Sequence, residues 1–233
     1  MKSVDICIFV HNQLASTLRL FKTLFKYTPV YNKIIVVDNC STDNTQEELK
    51  RYLDKIEVIT NDKNLGFAGG NNLVMKNSKA DYVCLLNNDT EMFPDWLEKL
   101  VNVAESDEKI GLVSPLNRTR EKLIIGGKLL TNYKGILLYL ENKDNEVDWL
   151  QASCLLIKSK VIQTVGLFDE IFDMGYYEDV DFCLRVKEAG FKLVWTPDVI
   201  INHYEGVTSK SLNLKEKFME INRKKFMEKW GKK

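Results

Sequence analysis

The segment Leu85-Leu-Asn-Asn-Asp89 carries an apolar run into a carboxylate flanked by two amides, Asn87 and Asn88. An acid at the end of a buried strand can ligate a hard cation, and Mg²⁺ in particular is commonly held by one or two carboxylates together with substrate phosphates. The bland alternative is that Asn88, Asp89 or Thr90 caps a helix near Pro94. A second group, Glu178-Asp179-Val-Asp181, puts three acids within four residues. Acids in a first helical turn complement the macrodipole, but three exceed what capping needs. Crowded carboxylates raise one another's pKa, and an acid beside an acceptor hydroxyl can serve as a general base. His203 follows a β-branched run and is one of only two histidines. An imidazole there, opposite carboxylates, suits Mn²⁺ or a similar metal, whereas the ordinary reading is a satisfied core or loop residue.

Asp38 ends the run Lys33-Ile-Ile-Val-Val-Asp38. A strand-end carboxylate can accept from a base N–H or a ribose hydroxyl, or it can share an N-cap with Ser41. The stretch Asn64-Leu-Gly-Phe-Ala-Gly-Gly-Asn-Asn72 is glycine-rich but lacks the G-x-G-x-x-G spacing and any Gly-Lys-Ser/Thr. Its glycines permit either close backbone approach to a ligand or tight turns.

The elements that must position these residues alternate. Residues 4–10 read as a strand, Leu14, Leu18, Phe21, Leu24 and Phe25 recur at helical spacing up to a turn at Thr28-Pro29, and residues 33–38 form a second strand. Residues 41–45 cap a helix running to about Leu53. A short strand over 56–60, a loop over 61–72 entering a helix, and a strand over 81–86 follow. Such alternation predicts a mostly parallel sheet covered by helices. Asn12, Asp38, Asn64 and Asp89 then lie just past strand ends, where ligands bind in such sheets. A helix is predicted from Pro94 to Ala104, loose strands and loops over 111–148 including Gly126-Gly127, a strand over 149–158, and a helical turn or two over 160–165. A helix over 177–189 closes at Gly190, and a strand covers 191–195.

From residue 210 to 233 there are nine Lys or Arg against three Glu, with apolar residues interspersed. This predicts a basic amphipathic helical tail over 209–233, beyond a domain spanning 1–208. It either packs on the domain or contacts anionic lipid as a peripheral membrane element. Lys plus Arg and Asp plus Glu number 33 each, so no net field recruits nucleic acid. Five scattered cysteines without a C-x-x-C pair fit a reduced cytosolic setting. There is no evident signal peptide and no apolar run of membrane-spanning length. The expectation is a cytoplasmic protein, with the tail as its means of reaching the inner face of a membrane.

Six segments in order resemble glycosyltransferase family 2, especially its rhamnosyltransferase-like members. They are Phe9-Val-His-Asn12, residues 34–43, residues 64–72, Leu85 to Thr90, residues 149–157, and Tyr177-Glu-Asp-Val-Asp-Phe-Cys-Leu-Arg185. The resemblance implies a GT-A fold, that is, a Rossmann-like mostly parallel central sheet with helices on both faces and a smaller acceptor-side region. It also implies inverting sugar transfer from a nucleoside diphosphate, UDP- or dTDP-linked, to a glycan, lipid-linked or glycoprotein hydroxyl. By the resemblance, Val10, His11, Asn12, Asp38 and Asn39 hold the base and ribose. Asn64, Gly66, Asn71, Asn87 and Asn88 line the donor site. Asp89 and His203 bind Mg²⁺ or Mn²⁺, and Asp179 is the base, positioned by Glu178 or Asp181. Trp149, Ala152 and Ser153 lie on the acceptor side.

The chain departs from the family pattern at Asn87, where an acid is usual, and at Ala152-Ser153, where glycine is frequent. Two rival readings are a non-catalytic donor-binding partner of another transferase and a sugar nucleotidyltransferase. The latter calls for a glycine-rich basic segment after the first strand, where this chain has His11-Asn-Gln-Leu14.

Overall fold

The central strand β1 (Val4–Val10) is buried along almost its whole length because β2 (Lys33–Asp38) and β4 (Tyr82–Asn87) pair with it on either side, both in parallel. The computed structural model describes residues 2–28, 32–119, 123–124, 128–132, 135–139, 146–172, 174–204 and 212–231. The turn residue Pro29, the glycines at 126 and 127, and the start of the tail at 209–211 lie outside the described residues.

The sheet continues as β3 (Glu57–Thr60), β2, β1, β4, β10 (Cys154–Lys158), β6 (Ile110–Arg118), β11 (Lys192–His203) and β5 (Thr90–Glu91), with β7 (Leu123–Ile124) beside β6. Among the strands on this path β10 and the two-residue β5 run against the rest, so the sheet is mostly parallel. A separate hairpin joins β8 (Lys128–Asn132) to β9 (Gly135–Tyr139).

Side chains alternate across a strand, and two apolar layers result. On one face Ile6 and Ile8 of β1 meet α1 (Leu14–Tyr27) through Leu20, Phe21 and Leu24, and α4 (Trp96–Glu105) through Trp96, Leu97 and Leu100. Leu49 of the short α2 (Thr45–Leu49) joins this layer. On the other face Cys7, Leu85 and Leu155 meet α3 (Gly66–Asn77), α5 (Ser159–Val165) and α6 (Glu178–Glu188). A 14-residue helix such as α1 is marginal alone in water. Fully burying a Leu or Phe is worth roughly 1.5–3 kcal/mol, so the three inward residues of α1 outweigh its weak intrinsic stability.

Several elements differ from their sequence reading. The glycine-rich segment is helical from Gly66 onward, and Gly70 serves close packing rather than a turn: it lies against the Phe9 ring, where a Cβ would sit 2.6 Å from ring carbons. Gly66 alone among its glycines has a left-handed backbone, at φ 70°. The helix expected to reach Leu53 ends at Leu49 and tightens into a 3-10 turn over Lys50–Tyr52. Residues 149–153 are not part of β10, and the region from 111 begins with the nine-residue β6. β11 runs past Pro197 to His203, accommodating the proline with a register shift between Thr196 and Ile200. The tail is one helix, α7 (Leu212–Trp230), with Phe226 in the second apolar layer.

Candidate active site

Parallel pairing brings the carboxyl ends of β1 and β2 level, with Val10 opposite Asp38. Asn39 N donates to Val10 O at 2.7 Å, and His11 Nδ1 lies 2.9 Å from Asn39 O. The Asn39 side chain then ties two loops together. It donates to Asn64 Oδ1 at 2.6 Å and accepts from Asn61 Nδ2 and Leu65 N, each at 3.0 Å. Asn12 Oδ1 accepts from the amides of Thr42 and Asp43. Asp38 is fully buried. One of its oxygens accepts from Ser41 N at 3.2 Å, while Oδ2 has no hydrogen-bond partner. An unpaired buried acceptor costs about 1–3 kcal/mol, which a ligand N–H or O–H would recover.

At the end of β4 the backbone turns sharply, Thr90 Oγ1 donating to Asn87 O. β5 pairs with the end of β11, setting Thr90 opposite His203, and Tyr204 N donates to Asp89 O. This pairing brings His203 Nε2 to 3.3 Å from Asp89 Oδ1, both side chains buried. Asp89 does not cap α4, which starts at Trp96. A buried carboxylate beside an imidazole fits Mg²⁺ or Mn²⁺. Among the described residues no group of three or more His, Cys, Asp or Glu is arranged to hold a metal ion, so phosphate oxygens and water would complete such a coordination sphere.

Glu178 and Asp179 open α6 from the left-handed residue Tyr177, at φ 75°. Asp179 keeps part of its surface open, yet enclosure of its carboxyl pushes its pKa up to about 6, against the lowering effect of amides at Ala152 and Val180. Burial, reinforced by the neighbouring Asp179 charge, holds Glu178 well above the usual carboxylate range, and its Oε2 has no hydrogen-bond partner. The Ala152-Ser153 peptide joins the two halves of the site. Ala152 N donates to Asp179 Oδ2 at 3.4 Å, and Ser153 O accepts from Asn87 N at 2.9 Å. Trp149, on the same segment, is buried with its Nε1 unpartnered.

Three candidate side chains are engaged inside the fold. Asn71 donates to Phe67 O and accepts from Cys7 Sγ, and Asn88 donates to Thr17 Oγ1. Asp181 has both oxygens occupied, one by Arg185 Nε at 2.9 Å and the other by Lys229 Nζ and Trp230 Nε1. Sequence reasoning missed Asn222, a buried amide on α7 that donates to Gly175 O and Tyr176 O. Its signal was an amide at helical spacing with Phe226 and Trp230, inside a stripe that otherwise reads as a packing face.

The model of the family described as Glycosyl transferase family 2 matches residues 5–158. The chain belongs to glycosyltransferase family 2. Its likeness extends to rhamnosyltransferases and hexosyltransferases. It is 28% identical over 187 residues to the low-salt glycan biosynthesis hexosyltransferase Agl10 of Haloferax volcanii, covering 74% of this chain and 59% of that protein. It is 26% identical over 206 residues to the N-acetylglucosaminyl-diphospho-decaprenol L-rhamnosyltransferase of Mycobacterium tuberculosis, covering 74% and 66%. The chain thus spans less than two thirds of either relative's length. The fold is GT-A. GalNAc-T7, solved with UDP, GalNAc and Mn²⁺, superposes with a TM-score of 0.75 at 17% identity over 88% of this chain and 45% of that one. Asp179 and His203 lie beyond the residues that the family model matches.

Proposed function

We propose that this chain moves a sugar, with inversion, from a UDP- or dTDP-linked donor to a hydroxyl of a glycan, a lipid-linked acceptor or a glycoprotein. The observation that carries the reading is the buried Asp89–His203 contact just past β4 together with the Asp179 carboxylate at the start of α6, with the Ala152-Ser153 segment bonding Asp179 on one side and Asn87, at the end of β4, on the other. A Mg²⁺ or Mn²⁺ held by Asp89 and His203 would supply Lewis-acid stabilisation of the departing diphosphate.

The chain's own residues do the rest. Asp38 Oδ2 accepts from the nucleoside, and the Asn39–Asn64 bridge fixes the loop that borders it. Asp179 takes the proton from the acceptor hydroxyl as that oxygen attacks the anomeric carbon and the bond to the diphosphate oxygen breaks. With a pKa near 6, Asp179 is ionised at neutral pH yet basic enough for the transfer. Glu178, held above the usual carboxylate range beside it, keeps a second negative charge away. Asp181 positions the helix and its tail.

Among the described residues no helix is long and apolar enough to cross a membrane. Lys225 and Lys229 of α7 face inward, to Ile171 O and to Asp169 and Asp181, which favours packing over lipid docking for the tail. The test is product analysis with UDP- and dTDP-sugars and Mn²⁺. Release of the nucleoside diphosphate supports transfer, whereas release of a nucleoside monophosphate with a sugar phosphate contradicts it.

A further inference from the structure

The turn ahead of the base is strained and held from outside. Met174, Tyr176 and Tyr177 all have left-handed backbones, at φ 58°, 77° and 75°, and Gly175 between them lies at φ 143°. Side-chain-bearing residues adopt such conformations only when their surroundings impose them. Here three successive carbonyls are each taken by a donor from another element. Phe67 N of α3 donates to Met174 O at 3.2 Å, and the single amide of Asn222 donates to Gly175 O at 2.7 Å and to Tyr176 O at 3.2 Å.

The neighbours of Asn222 on α7 reinforce the clamp. Lys225 Nζ donates to Ile171 O, the Phe226 ring lies 5.3 Å from Tyr177, Lys229 pairs with Asp169 and Asp181, and Trp230 Nε1 donates to Asp181 Oδ1 at 2.8 Å. Positions 222, 225, 226, 229 and 230 form one helical stripe. Every one of them meets the segment between residues 169 and 181.

We propose that α7 is the element that sets the base, and that Asn222 is a positioning residue: by holding the carbonyls of Gly175 and Tyr176 it aims Glu178 and Asp179 into the site. This rests on the reading of Asp179 as base only for its catalytic consequence. The placement of the carboxyl is a separate physical claim. The Phe67–Met174 bond extends the clamp to the donor side, since α3 begins at Gly66, whose added Cβ would lie 3.2 Å from the Met174 backbone.

The experiment is a carbon-13 carboxyl NMR titration of the full chain, with Asp179→Asn identifying the Asp179 signal by its loss. The midpoint expected for the native chain is near 6. Asn222→Ala releases two carbonyls, admits water to the turn, and lowers the midpoint by about one unit or more, toward the ordinary carboxylate range. Asn222→Ser, which keeps one donor, recovers part of the shift. The titratable groups that interact with Asp179, namely Glu178 and Cys183 on α6, are unchanged in both variants.

A merely structural role lowers the melting temperature and leaves the folded-state midpoint alone, and that result would overturn the proposal. Should neither variant fold, amide exchange in the native chain decides. Slow exchange of the Asn222 side-chain amide protons and of the Phe67 N–H, the donors of the clamp, supports it, and exchange of both at loop rates overturns it. An unmoved midpoint with an inactive Asp179→Asn overturns the clamp alone. A lowered midpoint with an active Asp179→Asn overturns the base alone.

Discussion

His203 Nε2 lies 3.3 Å from Asp89 Oδ1, with both side chains buried, because the last residues of β11 pair with the short β5 that immediately follows Asp89. The contact is made by sheet topology, not by proximity along the chain. Removing either partner leaves the other in a buried polar site with fewer ligands to offer. Asp89→Ala should weaken Mn²⁺-dependent binding of a nucleoside diphosphate by tenfold or more, read by calorimetry, as should His203→Ala. Unchanged titrations in both variants would remove the pair from metal binding.

Asp179→Asn keeps the shape of the proposed base and deletes its proton affinity. Positioned general-base catalysis contributes ~10²- to 10⁴-fold, so turnover should fall by that factor while donor affinity stays within about twofold. Turnover within threefold of the native chain would assign the proton to another group.

The same carboxyl gives a sign for pH. A base with a pKa near 6 must be ionised to act, so turnover rises with pH through about 6 and levels above it. Stability moves the other way. An acid whose folded pKa is raised binds its proton more tightly folded than unfolded, so its contribution is complete below pH 4 and is lost as pH rises through about 6. The melting temperature of Asp179→Asn relative to the native chain should therefore be higher at pH 8 than at pH 4. An equal difference at both would show that burial does not perturb this carboxyl.

Gly66 combines a left-handed backbone with a close approach to Met174. Gly66→Ala should lower stability by about 1–2 kcal/mol in denaturant unfolding, the cost of a left-handed side-chain-bearing residue plus the displaced turn. A loss under a few tenths would mean that the turn gives way freely.

The strands that position the candidate site were legible because they are buried on both faces. β1 and β2 have the limits that their apolar runs predict; Asp38 is the last residue of β2 rather than past its end, and Asp89 stands just past β4. What was hidden depended on contacts from far along the chain. Gly70 looks like a loop residue until the Phe9 ring is seen against α3. Pro197 looks like a strand stop until the register shift carries β11 on to His203. Asp181 was read with its neighbours as a candidate for chemistry, since no local signal marks Lys229 and Trp230 as its partners. Asn222 was missed for the same reason: its partners are backbone carbonyls, which carry no sequence signature.

The central claim is that these strand ends bind a nucleotide sugar through Asp89 and act on it through Asp179. The most direct measurement is thermal stability against a panel of UDP- and dTDP-sugars with Mn²⁺, for the native chain, Asp89→Ala and Asp179→Asn together. A ligand at 100 times its Kd stabilises by about 2.7 kcal/mol, a shift easily read in a chain of this size. The account predicts that at least one sugar nucleotide stabilises the native chain and Asp179→Asn equally and stabilises Asp89→Ala clearly less at the same concentration. No stabilisation by any member of the panel, or stabilisation of Asp89→Ala as large as that of the native chain, would contradict it.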